Sequence, residues 1–117
     1  MGDWDDQNRR KFTRLAIEDL VSFSPFGRSS SLGQGGDVSQ GGIRFTAVGC
    51  EFQCDELVRV SFNVGSETVD AVGRVVWIHE DDDITVEIGL EFVRIDPGAA
   101  RLLEDEERKR AERSSDG

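Results

Sequence analysis

Two short stretches carry side chains whose type and spacing suit the capture of a small anion. Arg9, Arg10, Lys11 and Arg14 fall within six positions of a chain whose formal net charge is −10. On charge alone such a cluster neutralises the neighbouring Asp3, Asp5 and Asp6, as exposed opposite charges commonly do. Arginine at 10 and 14 has a further capability, because its planar fork donates two parallel hydrogen bonds to a phosphate or to the acceptor edge of guanine. The second stretch is Asp37-Val38-Ser39-Gln40-Gly41-Gly42. An Asp and a Ser two apart before glycine commonly form an Asx or Ser turn leading into a strand. The same residues can accept the N1 and N2 donors of guanine on the carboxylate and donate a hydroxyl to an anionic oxygen, while Gly42 lets a ligand approach the backbone.

The remaining candidates supply no catalytic apparatus. Cys50 and Cys54 have no histidine near them in sequence to act as base, and with the single distant His79 they offer too few ligands at unsuitable spacing for zinc. Both are expected as reduced thiols. The glycines from Gly33 to Gly42 resemble a phosphate loop superficially, but no Gly-Lys-Ser/Thr follows them. Glu80-Asp81-Asp82-Asp83 beside His79 lacks the ligand spacing of an EF-hand and reads as a charged turn. We therefore expect no enzyme, no metal and no cofactor.

Composition narrows the class. At 117 residues with 37% hydrophobic content the chain is one domain able to hold a core without staples. Its 24 acidic against 14 basic residues give a long-range field of the wrong sign for DNA, RNA or anionic lipid. No apolar run approaches the roughly 18 residues that span a bilayer, and the acidic start Met1-Gly2-Asp3-Trp4-Asp5-Asp6 is unlike a signal peptide. The expectation is a cytoplasmic protein without membrane insertion.

Residues 1–14 are too polar to make core and are expected as a flexible arm. Residues 15–96 read as strands. Leu15, Ile17, Val21 and Phe23 recur at even spacing, with Asp19 interrupting. Phe26 to Gly36, rich in Gly and Ser, is expected as a turn or a long flexible hairpin. Ile43 to Phe45 is short and apolar; Val58, Val60, Phe62 and Val64 alternate with polar residues, and Gly65-Ser66 suits a tight turn. A strand from about Thr68 to His79 follows, with Gly73 as a bulge or bend. Ile84, Val86, Ile88, Leu90 and Phe92 then hold strict period two. Five or six strands with short turns and no helical pattern between them imply an all-β antiparallel sheet that closes or nearly closes. Beyond it Asp96 can cap, and Pro97 can begin, a helix over 97–113, whose first turns dock through Ala99, Leu102 and Leu103. Its charges pair at i, i+4, and 114–117 form a disordered tail.

Taken together, Arg10-x-x-x-Arg14 before the first strand and Asp37-x-Ser39-x-x-Gly42 before the third resemble the signature of the PilZ domain, the bacterial receptor module for cyclic di-GMP. Gly73-Arg74-Val75-Val76-Trp77 and Ile88-Gly89-Leu90-Glu91-Phe92 look like that family's last two strands, and Pro97 onward like its terminal helix, so the resemblance covers about residues 9 to 104. It implies a six-stranded antiparallel Greek-key-like β-barrel with a C-terminal α-helix. It also implies that Arg10 and Arg14 meet phosphate and the Hoogsteen edge of a guanine, that Asp37 and Ser39 contact guanine and phosphate, and that Gly42 keeps the loop tight. Arg9 matches a position where arginine tends to accompany an intercalated pair of ligand molecules, so two nucleotides per domain are expected. Trp77 can offer an aromatic surface near the site or simply pack. The function so implied is that of a cyclic di-GMP receptor whose ordered arm changes the surface shown to an unidentified protein. The alternative is an adaptor of the same fold that binds no nucleotide and acts through the solvent-rich helix Glu104 to Arg113.

Overall fold

Alternation of apolar and polar residues generates most of the molecule. The computed structural model describes residues 15–17 and 19–116, with side chains as far as 110. In β5 (Leu57–Val64), Val58, Val60, Phe62 and Val64 are buried while Leu57, Arg59 and Asn63 face water. In β7 (Thr85–Ile95), Val86, Ile88 and Leu90 point inward in the same way. Between them runs β6 (Glu67–Glu80), joined to β5 through Gly65-Ser66 as expected. The remaining strands are β1 (Leu15–Ala16), β2 (Leu20–Pro25), β3 (Ser31–Val38) and β4 (Gly42–Val48).

All pairings are antiparallel, and the order β1-β3-β2-β5-β6-β7-β4 closes on itself through β3 with β4. β1 and β2 lie on the same edge of β3 and act as one interrupted strand, so the sheet is the expected six-stranded barrel. Two meanders, β2-β3-β4 and β5-β6-β7, are joined through β2–β5 and β4–β7, which gives the Greek-key-like connection and pairs each of these six strands on both sides. Phe23, Phe45 and Phe62 fill the interior with Ile43, Ile88, Leu90 and Leu103, the last from the helix. The rings of Phe23 and Phe45 meet at 5.0 Å between centroids. Among the described residues no helix is long and apolar enough to cross a membrane.

The Gly/Ser-rich segment departs from expectation. Only the turn after β2 is irregular; Ser31–Val38 is a full strand. Its inward positions before residue 36 are Ser31, Gly33 and Gly35, and large neighbours press directly against the two glycines. A Cβ on Gly33 would lie 3.1 Å from the Phe45 ring and 3.2 Å from that of Phe23. One on Gly35 would lie 2.4 Å from Cγ2 of Ile17 and 2.8 Å from the Asp19 carbonyl oxygen. The interruption between β1 and β2 sits on Gly35, whose N–H donates to that same carbonyl at 3.2 Å. Glycine here serves close packing, and the strand is not a flexible loop.

The β3–β4 register shifts between Gly35 and Asp37, making Gly36 an extra residue. Gly73 also lies at a shift, as expected, where Val93 is the extra residue on β7. Helix α1 (Pro97–Asp116) starts as anticipated: Asp96 Oδ2 accepts the N–H of Gly98 at 2.9 Å, with Pro97 at the first helical position. It continues to Asp116, past the 113 of the sequence reading. The acidic stretch before β7 is a structured turn in which Asp82 Oδ1 accepts the N–H groups of Ile84 at 2.9 Å and Thr85 at 2.7 Å. The Ile84 hydrogen bond, reinforced by that of Thr85, holds the Asp82 carboxyl below its usual range.

Gly35→Ala should destabilise the barrel by about 1 to 3 kcal/mol, because the new methyl meets both a packed side chain and a backbone oxygen. A urea denaturation midpoint unchanged from the unsubstituted chain would show that β3 packs less tightly than described.

Candidate functional site

The bulge at Gly36 decides which side of β3 its polar residues take. Before it, Gln34 faces out opposite Thr46 and Gly35 faces in opposite Phe45; after it, Asp37 faces out opposite Arg44 and Val38 faces in opposite Ile43. Directly opposed residues share a face, so the pairings Asp37 with Arg44, Arg44 with Gly89, and Gly89 with Trp77 set one row across four strands on the outer surface. At about 4.8 Å per strand the row extends roughly 14 Å. A parallel row carries Gly42, Glu91 and Arg74.

Within the first row, Arg44 Nη2 donates to Asp37 Oδ2 at 2.5 Å, and Arg44 Nε lies 3.9 Å from Glu87 Oε2. Gly89 is covered by the indole of Trp77: a Cβ there would come within 2.3 Å of Nε1. Trp77 is half-buried on the outer face of the barrel and so does not belong to the interior. In the second row Arg74 Nη2 meets Glu91 Oε1 at 2.6 Å, with both groups about two fifths exposed.

The turn from Ser39 to Gly42 is held from several sides. The Ser39 N–H donates to the Gly42 carbonyl at 2.9 Å, and Gly41 offers its carbonyl to the Phe92 N–H at 2.9 Å. Ser39 is completely buried, and its Oγ accepts from the Gly41 N–H at 3.2 Å, so the hydroxyl shapes the turn. Gly42, the first residue of β4, is buried too.

The fourth support comes from the helix. Glu107 Oε1 accepts the backbone N–H of Gln40 at 2.8 Å, and Oε2 accepts its side-chain Nε2 at 2.7 Å. Glu107 is only 6% exposed. Burial pushes its carboxyl upward from the usual glutamate value; the Gln40 hydrogen bonds oppose the shift and the charge of Glu104 adds to it. Docking therefore does not end after the first turns of α1 as expected, because Glu107 lies one turn beyond Leu103 on the same stripe. Among the exposed helix pairs, Arg108 with Glu104 at 3.5 Å keeps the expected i, i+4 spacing, whereas Arg108 with Asp105 at 3.3 Å and Lys109 with Glu106 at 3.6 Å are spaced i, i+3.

Of the residues singled out in the sequence, the structure gathers Asp37, Ser39, Gly42 and Trp77 on or beneath one patch of the barrel. Arg9, Arg10 and Arg14 lie outside the described residues. Leu15, next in sequence after Arg14, is paired with Val38, and Ala16 with Asp37. Sequence reasoning passed over Arg44 and Glu107. Both left a signal: Arg44 is the polar residue between buried Ile43 and Phe45, and Glu107 follows Leu103 by four. Cys50 and Cys54 are both thiols, and Cys50 Sγ contacts the Val48 carbonyl at 3.6 Å. A broader groove on the β2, β5 and β6 side, lined by Ser22, Ser24, Arg59, Ser61 and Asp70, contains none of the motif residues.

A family model described as PilZ domain matches residues 8–106 of the chain. No curated protein matches it. Among solved structures, the Bacillus subtilis inhibitor of motility, MotI/DgrA, superposes with a TM-score of 0.73 at 21% identity over 88% of this chain and 51% of that one. The PilZ domain of YcgR from Escherichia coli, solved with c-di-GMP, gives 0.66 at 18% identity over 92% of this chain and 98% of the other. The Borreliella burgdorferi PlzA protein in complex with c-di-GMP gives 0.61 at 16% identity over 87% of this chain and 42% of PlzA. The chain thus spans about half of the first and last of these proteins, and at such identities the likeness is one of fold.

Replacing Glu107 by Gln tests how the helix grips the turn. A carboxyl whose folded value is raised binds protons more readily in the native than in the unfolded chain, so its contribution to stability falls as pH rises from about 4.5 through the folded value. The stability of the unsubstituted chain minus that of Glu107→Gln, from urea melts, should be largest at low pH and shrink as pH rises. A difference that grows with pH would contradict the buried placement.

Proposed function

The chain belongs to the PilZ domain family, and from that premise we propose that it is a receptor for cyclic di-GMP, held between Arg10 and Arg14 and the outer face around Asp37. The observation that carries the reading is the pairing of β1 with Asp37 and Val38. It sets Leu15, the residue that follows Arg14, opposite Val38 and Ala16 opposite the motif aspartate, which supports a reading in which the two halves of the signature, far apart in sequence, serve one ligand.

The chemistry of the patch supports the same ligand. Asp37 faces outward and offers an acceptor to the N1 and N2 donors of a guanine. Trp77, in the same row, offers a partly exposed indole on which a base can stack. Two phosphodiester charges require cations, which Arg10 and Arg14 supply as forked donors. Arg9 extends that set, and on this reading an intercalated pair of nucleotides is the bound species. Ser39 and Gly42 fix the turn that presents Asp37. Binding orders the arginine segment over the barrel and changes the surface offered to a partner protein, which makes the domain a receptor and effector with no chemistry of its own. Cyclic di-GMP is the ligand in the solved YcgR domain and PlzA, which share this fold.

Isothermal titration with cyclic di-GMP should show saturable heat at a ratio of two nucleotides per chain. Arg10→Ala, Arg14→Ala and Asp37→Ala should each weaken binding by roughly tenfold or more, the equivalent of one charge-assisted hydrogen bond. No heat with the unsubstituted chain would overturn the proposal in favour of an adaptor that acts without nucleotide.

A further inference from the structure

Arg44 has a placement that packing alone does not explain. It is half-buried, in the centre of the row between Asp37 and Gly89. Its Nη2 rests on the carboxylate that the sequence motif provides, at 2.5 Å. Its Nε is shielded from solvent with no hydrogen-bond acceptor among the described residues, and the nearest carboxylate, on Glu87, is 3.9 Å away. Beside it Gly36, the bulge residue, carries no side chain, and a Cβ there would lie 3.5 Å from Arg44 Nε; directly opposite, Gly89 lies under the Trp77 indole.

If a guanine takes the Asp37 carboxylate, as the function proposed above requires, two sets of donors compete for one acceptor. The N1 and N2 donors of guanine lie side by side and engage both carboxylate oxygens, the same footprint a guanidinium uses. Guanine is neutral in this exchange, so a half-buried cation loses its closest anion, and Glu87 at 3.9 Å is too far to replace it by a hydrogen bond. A ligand carrying two phosphodiesters brings the missing acceptor with it. The guanidinium also has an N–H already lacking a partner with which to meet it. We infer that Arg44 is a further ligand-binding residue of this site, ceding the Asp37 carboxylate to the guanine and taking an anionic phosphate oxygen of the same nucleotide.

This rests on the receptor reading, and the test separates the two. Cyclic di-GMP is titrated calorimetrically into the full chain, Arg44→Ala, Asp37→Asn, and the double variant, each first shown to melt cooperatively. Asn at 37 keeps one acceptor oxygen for guanine, so binding stays measurable. Arg44→Ala should weaken binding on the order of tenfold or more, and should do so again in the Asp37→Asn background, because the lost phosphate contact does not pass through residue 37. Unchanged or tighter binding by Arg44→Ala overturns the inference, as does loss of its effect in the Asp37→Asn background, which would make Arg44 a positioning residue for Asp37. An unsubstituted chain that binds nothing overturns the receptor reading and this inference with it; one that binds while Arg44→Ala matches it overturns this inference alone.

Discussion

One inserted residue, Gly36, determines which chemistry faces outward. A strand alternates its side chains with period two, so a single extra residue exchanges the inside and outside positions that follow it. Without the bulge, Asp37 would point into an apolar barrel and Val38 into water. With it, Val38 joins Phe45 and Ile43 in the core, and Asp37 emerges opposite Arg44. The bulge is possible because glycine occupies the inward positions on its N-terminal side, where Ile17 and the Asp19 carbonyl leave no room for a Cβ at Gly35. The same close approach breaks the first strand into β1 and β2 and ties the segment after Arg14 to the carboxylate.

The helix completes this arrangement from outside the sheet. Leu103 contributes to the core, and Glu107, one turn later, clamps Gln40, the residue between the motif serine and its glycines. A buried carboxylate is costly unless both oxygens are satisfied, and here two N–H donors from one residue satisfy them. The turn that presents Asp37 is thus fixed by the Ser39 hydroxyl within, by β7 through Gly41, and by α1 through Gln40. The overall charge of −10 does not oppose a small anionic ligand at such a patch. Screening at physiological salt reduces fields beyond about 8 Å, so distant surface carboxylates add little at the patch, while a long polyanion would meet the whole acidic surface.

Strands with a full apolar face were legible in the sequence because their side chains do the packing. β5 and β7 announce themselves through Val58 to Val64 and Val86 to Leu90. β3 was not legible, since ahead of Val38 its inward positions are Ser31, Gly33 and Gly35, and the rings of Phe23 and Phe45 fill the space from neighbouring strands. No hydrophobic period exists for a reader to find, and the composition resembles that of a loop. Asp37 was readable as an acceptor from its motif, but its partner Arg44 depends on a cross-strand register that no local pattern encodes. Glu107 was hidden by its own charge: amid a run of acidic and basic residues it looks like solvated surface, and only the placement of Leu103 one turn earlier reveals that it faces the barrel.

The central claim is that a cyclic guanine dinucleotide seats on the outer row from Asp37 to Trp77. An amide proton–nitrogen NMR titration of the full chain with cyclic di-GMP addresses it most directly. The account predicts large shifts at the amides from Asp37 to Arg44, at Gly89 and at the Trp77 indole N–H, with little change around Ser22, Arg59 and Asp70. Shifts concentrated in that second group, or none anywhere at saturating nucleotide, would contradict it.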